Sequence, residues 1–218
     1  MPLQTRPSPF DHPDYMFELK YDGFRALAAI ENGHTQLISR NGHPFGSFTG
    51  LAKHIAAALP NTQTVLDGEI VCVDKNGKPQ FRDLLFHRGD PCFFAFDLLF
   101  CDGKDWRRES LMDRKQELRR LLSNVPADSR LKYVDHVDGS GTALFRRVCK
   151  LDLEGIVAKQ KFGPYLTDRE NSTWFKIRNR EYSQMVGREE LFERDRHKEP
   201  VPGWHSCAVA CAELEETS

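Results

Sequence analysis

Glu18-Leu19-Lys20-Tyr21-Asp22-Gly23-Phe24-Arg25 sets one lysine between apolar, strand-like residues and an Asp-Gly turn, with an arginine just beyond. Asp-Gly bends a chain sharply, so the stretch holds a single amine where the backbone changes direction. That is how a nucleophile is presented. A lysine amine attacks phosphorus only when deprotonated, and the phosphates it attacks must be neutralised by nearby cations. An isolated Lys-x-Asp-Gly is equally a surface strand ending in an ordinary turn, so the rest of the chain has to supply those groups.

Working outward, residues 15–20 and 24–30 read as two strands around the Asp22-Gly23 turn, an antiparallel opening, and Asn32-Gly33 adds a hairpin signal before a strand at 34–39. Leu51, Ile55, Ala58 and Leu59 form a helical stripe that Pro60 ends. Residues 64–73 read as a strand interrupted by Asp67-Gly68, and Asn76-Gly77 turns the chain toward a short segment around Phe81 and Leu84. The apolar run 92–100 predicts a strand buried on both faces. Ser110 through Asp113 open a helix with Leu111, Leu118, Leu121 and Leu122 on its apolar side. A second helix is predicted over 140–150, and strands over 131–134, 155–159 and 173–178. Strands outnumber helices and hairpin turns recur, which gives an α+β class with mainly antiparallel sheets.

The wider pattern is an ordered set: Lys20-Tyr21-Asp22-Gly23-Phe24-Arg25, Ser39-Arg40-Asn41-Gly42, Leu66-Asp67-Gly68-Glu69, Phe96-Asp97-Leu98-Leu99, Glu154-Gly155-Ile156-Val157-Ala158-Lys159 and Trp174-Phe175-Lys176-Ile177-Arg178. This order resembles the motifs of ATP-dependent DNA ligases, most closely the ligase domain of bacterial end-joining ligases, over roughly residues 10–180. The resemblance implies the covalent nucleotidyltransferase fold, two mainly antiparallel sheets with flanking helices around a nucleotide cleft. It also implies a domain plan of an arm at 1–14, an adenylation domain at 15–180 and a short extension at 181–218.

On the same resemblance Lys20 is the nucleophile that takes AMP from ATP. Glu18 contacts the adenine edge, Arg25 meets the ribose or shapes the site, and Phe96 and Val157 sandwich the base. Glu69 reaches the ribose hydroxyls or a hydrated metal, and Glu154 helps hold Mg²⁺ or Mn²⁺ at the α-phosphate; Asp67 is more ambiguous, its place before Gly68 being that of a residue that only caps the turn. Lys159, Lys176 and Arg178 supply cations to that phosphate, and Arg40 meets the 5′-phosphate of nicked double-stranded DNA. The family usually carries lysine where Arg178 stands; arginine keeps the charge and offers a planar fork, but does not titrate. Two other readings share part of this pattern: an RNA ligase or capping-type nucleotidyltransferase, and a non-catalytic nucleotide- or nick-binding module.

Composition bounds the rest. At 218 residues with 31 Lys+Arg, 32 Asp+Glu and a net charge of −1, the chain suits one large domain and not a protein that coats nucleic acid. No apolar run is long enough to span a membrane, and the Pro2, Pro7, Pro9, Pro13 arm lacks a signal-peptide order, so a cytoplasmic location is expected. The 6 cysteines form no CxxC pair and read as small buried hydrophobes; His205, Cys207 and Cys211 lack a fourth ligand nearby for zinc. The segment after Arg178 is too short for the oligonucleotide-binding barrel of family ligases, so no such barrel is expected, and a separate DNA-binding or end-joining protein is expected as a partner. That segment carries a charged run at 189–196 and an apolar patch around Trp204.

Overall fold

The computed structural model describes residues 1–185; the charged run, the patch around Trp204 and the His205, Cys207, Cys211 spacing lie outside the described residues. In chain order the elements begin with β1 (Gln4–Thr5), β2 (Asp11–Leu19), β3 (Phe24–Glu31), β4 (His34–Ser39), α1 (Thr49–Ala58), β5 (Thr64–Cys72), α2 (Phe81–Leu85) and β6 (Pro91–Cys101). They continue with β7 (Lys104–Asp105), α3 (Leu111–Leu122), β8 (Leu131–Tyr133), β9 (His136–Ser140), α4 (Gly141–Lys150), β10 (Gly155–Gln160) and β11 (Trp174–Arg178).

These strands make two sheets. The first runs β1-β11-β10-β2-β9 and the second β4-β3-β5-β6-β7, with β8 beside β6. Pairing is antiparallel except for β1 against β11 and β8 against β6. The strands flanking Asp22-Gly23 therefore do not form a hairpin with each other. β2 pairs with β10 and β9, β3 pairs with β4 and β5, and the turn carries the chain from one sheet to the other.

Period-two alternation decides what each face does. In the first sheet Phe17, Ile156, Ala158 and Ile177 pack with Val148, Leu144 and Phe145 of α4. The intervening residues Glu18, Val157 and Lys176 lie side by side in register on the opposite face. In the second sheet Ala26, Ala28, Ile30, Leu66, Ile70, Phe93 and Ala95 join Leu51 and Ile55 of α1 and Leu118 and Leu122 of α3 in the main core. Arg25 and Glu69 are opposite one another in register and alternate away from that core. The two polar faces enclose a cleft.

Two predicted details differ. Asp67-Gly68 does not break β5 into a turn: both residues stay paired in the ladder, and Gly68 is small because a Cβ there would meet the Phe93 ring at 2.4 Å. The irregularity falls on the facing strand. Gly68 pairs with Ala95 and Asp67 with Asp97, so Phe96 is an extra residue in β6, and such a bulge re-aims a side chain. The other difference is β9, together with the short strands β1 and β7, which the pattern of residues did not announce.

α3 joins the sheets behind the cleft. Ser110 caps it, accepting from the Asp113 amide at 3.2 Å. Arg114, fully buried, forks onto Asp97 of β6 at 2.8 and 2.9 Å and donates to the Glu109 carbonyl at 2.8 Å. The adjacent Lys115 donates to Glu18 of β2 at 2.7 Å and to the Val134 carbonyl at 2.6 Å. Among the described residues no helix is long and apolar enough to cross a membrane.

Candidate active site

Lys20 follows β2 directly, and its amide donates to the Gly155 carbonyl at 2.9 Å, which extends the ladder to β10. The turn beyond it has no room for a larger residue: a Cβ on Gly23 would stand 2.1 Å from the Ile70 carbonyl oxygen. Gly155 sits at φ 151, with a would-be Cβ 2.2 Å from the Ile177 carbonyl, so only glycine lets β10 and β11 close beside the lysine. Asp22 is buried and accepts from the Tyr182 hydroxyl at 3.2 Å, which ties the turn to the chain leaving β11.

Two cavities meet at Lys20. The smaller, of about 60 Å³, is lined by Leu3, Glu18, Lys20, Tyr21, Arg25, Glu69, Phe96, Val157, Lys159 and Trp174. The larger, of about 680 Å³, is lined by Lys20, Arg25, Arg40, Arg169, Lys176 and Arg178, with Glu69 as the acidic residue among them. The first is an aromatic and aliphatic slot, the second a cationic basin, and the lysine amine stands where they join.

Each expected side chain has a definite place. The Lys20 Nζ lies 2.7 Å from both carboxylate oxygens of Glu154, which is itself nearly buried. Arg25 forks onto Asp67 at 3.0 and 2.6 Å, donates to the Met1 carbonyl at 2.6 Å, and lies over the Phe96 ring at 5.5 Å. Asp67 is no turn cap. It is fully buried and also accepts from the Tyr165 hydroxyl at 2.8 Å; burial raises its pKa, but Arg25, the Met1 ammonium and the Tyr165 hydroxyl together outweigh this and hold the carboxyl down to about 2. Val157, in register with both Glu18 and Lys176, lines the slot together with Phe96.

Lys159 departs from expectation. It lines the slot and not the basin, ion-paired to Glu18 at 2.5 Å and lying 4.2 and 4.0 Å from the centres of the Phe96 and Trp174 rings. Burial lowers its amine to about 8 against the pull of Glu18, with Lys115 adding to the fall. Its place is beneath the aromatic floor. The basin instead gains Arg169, a loop arginine that no periodic pattern or motif marks in the sequence. Burial, and then Arg178, Lys20 and Arg169, lower the pKa of Lys176, the mark of cations crowded for an anion.

Glu69 is the odd acid. Among the described residues no hydrogen bond or ion pair holds its carboxyl, and burial, with Glu154 and Asp67 reinforcing and Lys20 and Arg25 opposing, pushes it up to about 8. The folded chain thus keeps a proton there that the unfolded chain releases near pH 4.5, so stability falls as pH rises from that value through about 8. The slope is at most about 1.4 kcal/mol per pH unit. Glu69→Gln is expected to flatten it, which melting temperatures from pH 5 to 9 in chelator without nucleotide will check. A parent and variant with parallel profiles would refute the assignment.

The same carboxyl tests the fit of a divalent cation. No group of three or more His, Cys, Asp or Glu gathers among the described residues, which disfavours an all-protein metal cage. An unpartnered Glu69 and a Glu154 that both face Lys20 fit Mg²⁺, which takes one or two carboxylates and completes its shell with water and phosphate oxygens.

Comparison with known proteins gives the family of the chain. A family model described as ATP dependent DNA ligase domain matches residues 8–178, and the chain belongs to that family. It is 32% identical over 170 residues to the multifunctional non-homologous end joining protein LigD of Pseudomonas aeruginosa, covering 76% of this chain and 20% of that one. It is 34% identical over 199 residues to the bifunctional non-homologous end joining protein LigD of Bacillus subtilis, covering 76% of this chain and 31% of that one. The chain therefore spans between a fifth and a third of these curated relatives. The fold matches the crystal structure of the ligase domain of Mycobacterium tuberculosis LigD with a TM-score of 0.70 at 27% identity, over 81% of this chain and 58% of that one. A mycobacterial DNA ligase D complexed with ATP and MES matches with a TM-score of 0.67 at 28% identity, over 81% and 58% of the two chains.

Proposed function

We propose that this chain is the adenylation domain of an ATP-dependent DNA ligase, with Lys20 as the residue that carries AMP. The observation that carries the reading is the placement of the Lys20 amine at the junction of an aromatic slot and a cationic basin. The slot suits a purine: Phe96 is turned out by the bulge to one face, Val157 lies on the other, and the backbone of Glu18 runs along the edge. The basin suits a triphosphate.

In the first step the free amine of Lys20 attacks the α-phosphorus, a nitrogen–phosphorus bond forms, and the bond to the bridging oxygen breaks, so pyrophosphate leaves. Glu154, within hydrogen-bonding distance of the amine, orients it toward phosphorus, and the proton released on attack passes to solvent through the open basin. Lys176, Arg178 and Arg169 face the charge that develops on the phosphates, and electrostatic preorganisation of this kind is commonly the largest contribution to catalysis. Glu69 and Glu154 would hold Mg²⁺, which supplies Lewis-acid polarisation of the phosphoryl oxygens. In the later steps AMP passes to the 5′-phosphate of a nick, where Arg40 lines the same basin, and the 3′-hydroxyl displaces AMP to leave a continuous strand. The relatives are end-joining proteins, which supports nicked double-stranded DNA as substrate and a DNA-binding or end-joining protein as partner.

The test is a mass measurement followed by a sealing assay. The purified protein incubated with ATP and Mg²⁺ is expected to gain the mass of one AMP, lost again on addition of pyrophosphate. The adenylated protein is then expected to join a nicked duplex. No mass gain would refute the nucleotide reading, and a mass gain with transfer to RNA ends in preference to DNA would redirect it to RNA ligation.

A further inference from the structure

We infer that the segment Pro2–Thr5 is a working wall of the nucleotide site, with Leu3 packing on the nucleoside where base and phosphates meet; this rests on the nucleotide reading above. Leu3 lines both the aromatic slot and the cationic basin. It is half-buried, and its neighbours in the slot include Phe96, Val157 and Trp174. An apolar side chain at the border of two such cavities faces the sugar of a nucleotide whose base fills one and whose phosphates fill the other. The arm is not a loose end laid across the surface.

Its position is set by hydrogen bonds to three different parts of the cleft. Thr5 pairs in parallel register with Lys176, and the Arg6 amide donates to the Lys176 carbonyl at 3.0 Å, so the arm extends the strand that carries a basin cation. Gln4 donates from Nε2 to the carbonyls of Arg169, Glu170 and Ser172 at 3.3, 3.2 and 3.0 Å, and the Ser172 hydroxyl donates to the Pro2 carbonyl at 2.5 Å. Those bonds fix the loop that places Arg169 beside Lys176. On the far side Arg25, from the second sheet, donates to the Met1 carbonyl. The arm spans the cleft mouth from one sheet to the other, and Gln4 couples Leu3 to a phosphate-facing arginine.

Leu3 is therefore a binding residue and Gln4 a positioning residue. The experiment measures single-turnover adenylation against ATP concentration for the whole chain. Leu3→Asp is expected to raise the half-saturating ATP concentration about tenfold, with the rate at saturating ATP within about threefold of the parent, because the contact is made before and during the reaction alike. Gln4→Ala is expected to move the same quantity in the same direction by a smaller factor, and Ser8→Ala, on the exposed part of the arm, to leave it unchanged. Leu3→Ala carries the same comparison if Leu3→Asp fails to melt like the parent. A parent that adenylates with variants that saturate identically would overturn the role of the arm and leave the nucleotide reading standing. A parent that never adenylates would overturn both.

Discussion

Lys20→Ala is expected to lose retention of label from α-labelled ATP by on the order of 10⁴-fold or more, the scale seen when a covalent nucleophile is removed. Among the described residues no neighbouring amine is placed to replace it. Lys159 is buried beneath the aromatic floor in an ion pair with Glu18, and Lys176 stands on a separate strand, beside the phosphates it would bind. The substitution also frees Glu154 from its ion pair, so melting measured alongside will separate a lost nucleophile from a lost fold. A folded Lys20→Ala variant that labels as strongly as the parent would reassign the reaction to another residue and remove the foundation of the proposed function.

The second large effect is on stability and lies away from the nucleophile. Arg114→Ala is expected to destabilise the domain by about 3–5 kcal/mol, because it leaves the Asp97 carboxylate buried without its guanidinium. Against the usual ~5–15 kcal/mol of a folded domain, that is enough to leave a sizeable unfolded fraction at growth temperature. Urea titration followed by tryptophan fluorescence will measure it. Replacing both partners together, Asp97→Leu with Arg114→Met, is expected to recover much of the loss, since a buried pair removed whole takes its desolvation cost with it. Single and double variants of equal stability would mean that the pair contributes nothing beyond the volume it fills.

The chain's local signals marked the strands better than their pairing. The strands around Lys20, Glu69, Phe96, Val157 and Lys176 were legible because alternation and turn residues mark each one within a few positions. That β2 and β3 belong to different sheets was not legible: an Asp-Gly turn closing a hairpin and one crossing between sheets have the same local sequence. Gly68 is locally ambiguous for a related reason. A glycine inside a strand marks either a turn or a close approach, and only the Phe93 ring on the neighbouring strand decides between them.

β9 hid because its residues His136, Val137, Asp138, Gly139 and Ser140 are largely polar and pair along one edge. Arg114 and Lys115 hid because charged residues on a helix read as solvated until Asp97 and Glu18 are known to face them. The site shows the same division. Lys20, Arg25, Arg40, Glu69, Glu154, Lys176 and Arg178 were found through ordered motifs, whereas Leu3 and Arg169 sit in an arm and a loop whose placement depends on contacts far along the chain.

The adjacent pair on α3 has a consequence for how ligand recognition is distributed. Because Arg114 grips one sheet and Lys115 the other, the floor of the cleft holds its shape before anything binds, and its aromatic slot requires little ordering. The rim, made by the arm and the loop at 169–172, is tied down separately, by the pairing of β1 with β11 and by side-chain hydrogen bonds from Gln4 and Ser172. Floor and rim are therefore held by different sets of contacts. Affinity can be tuned at the rim, residue by residue, while the machinery beneath stays unaltered.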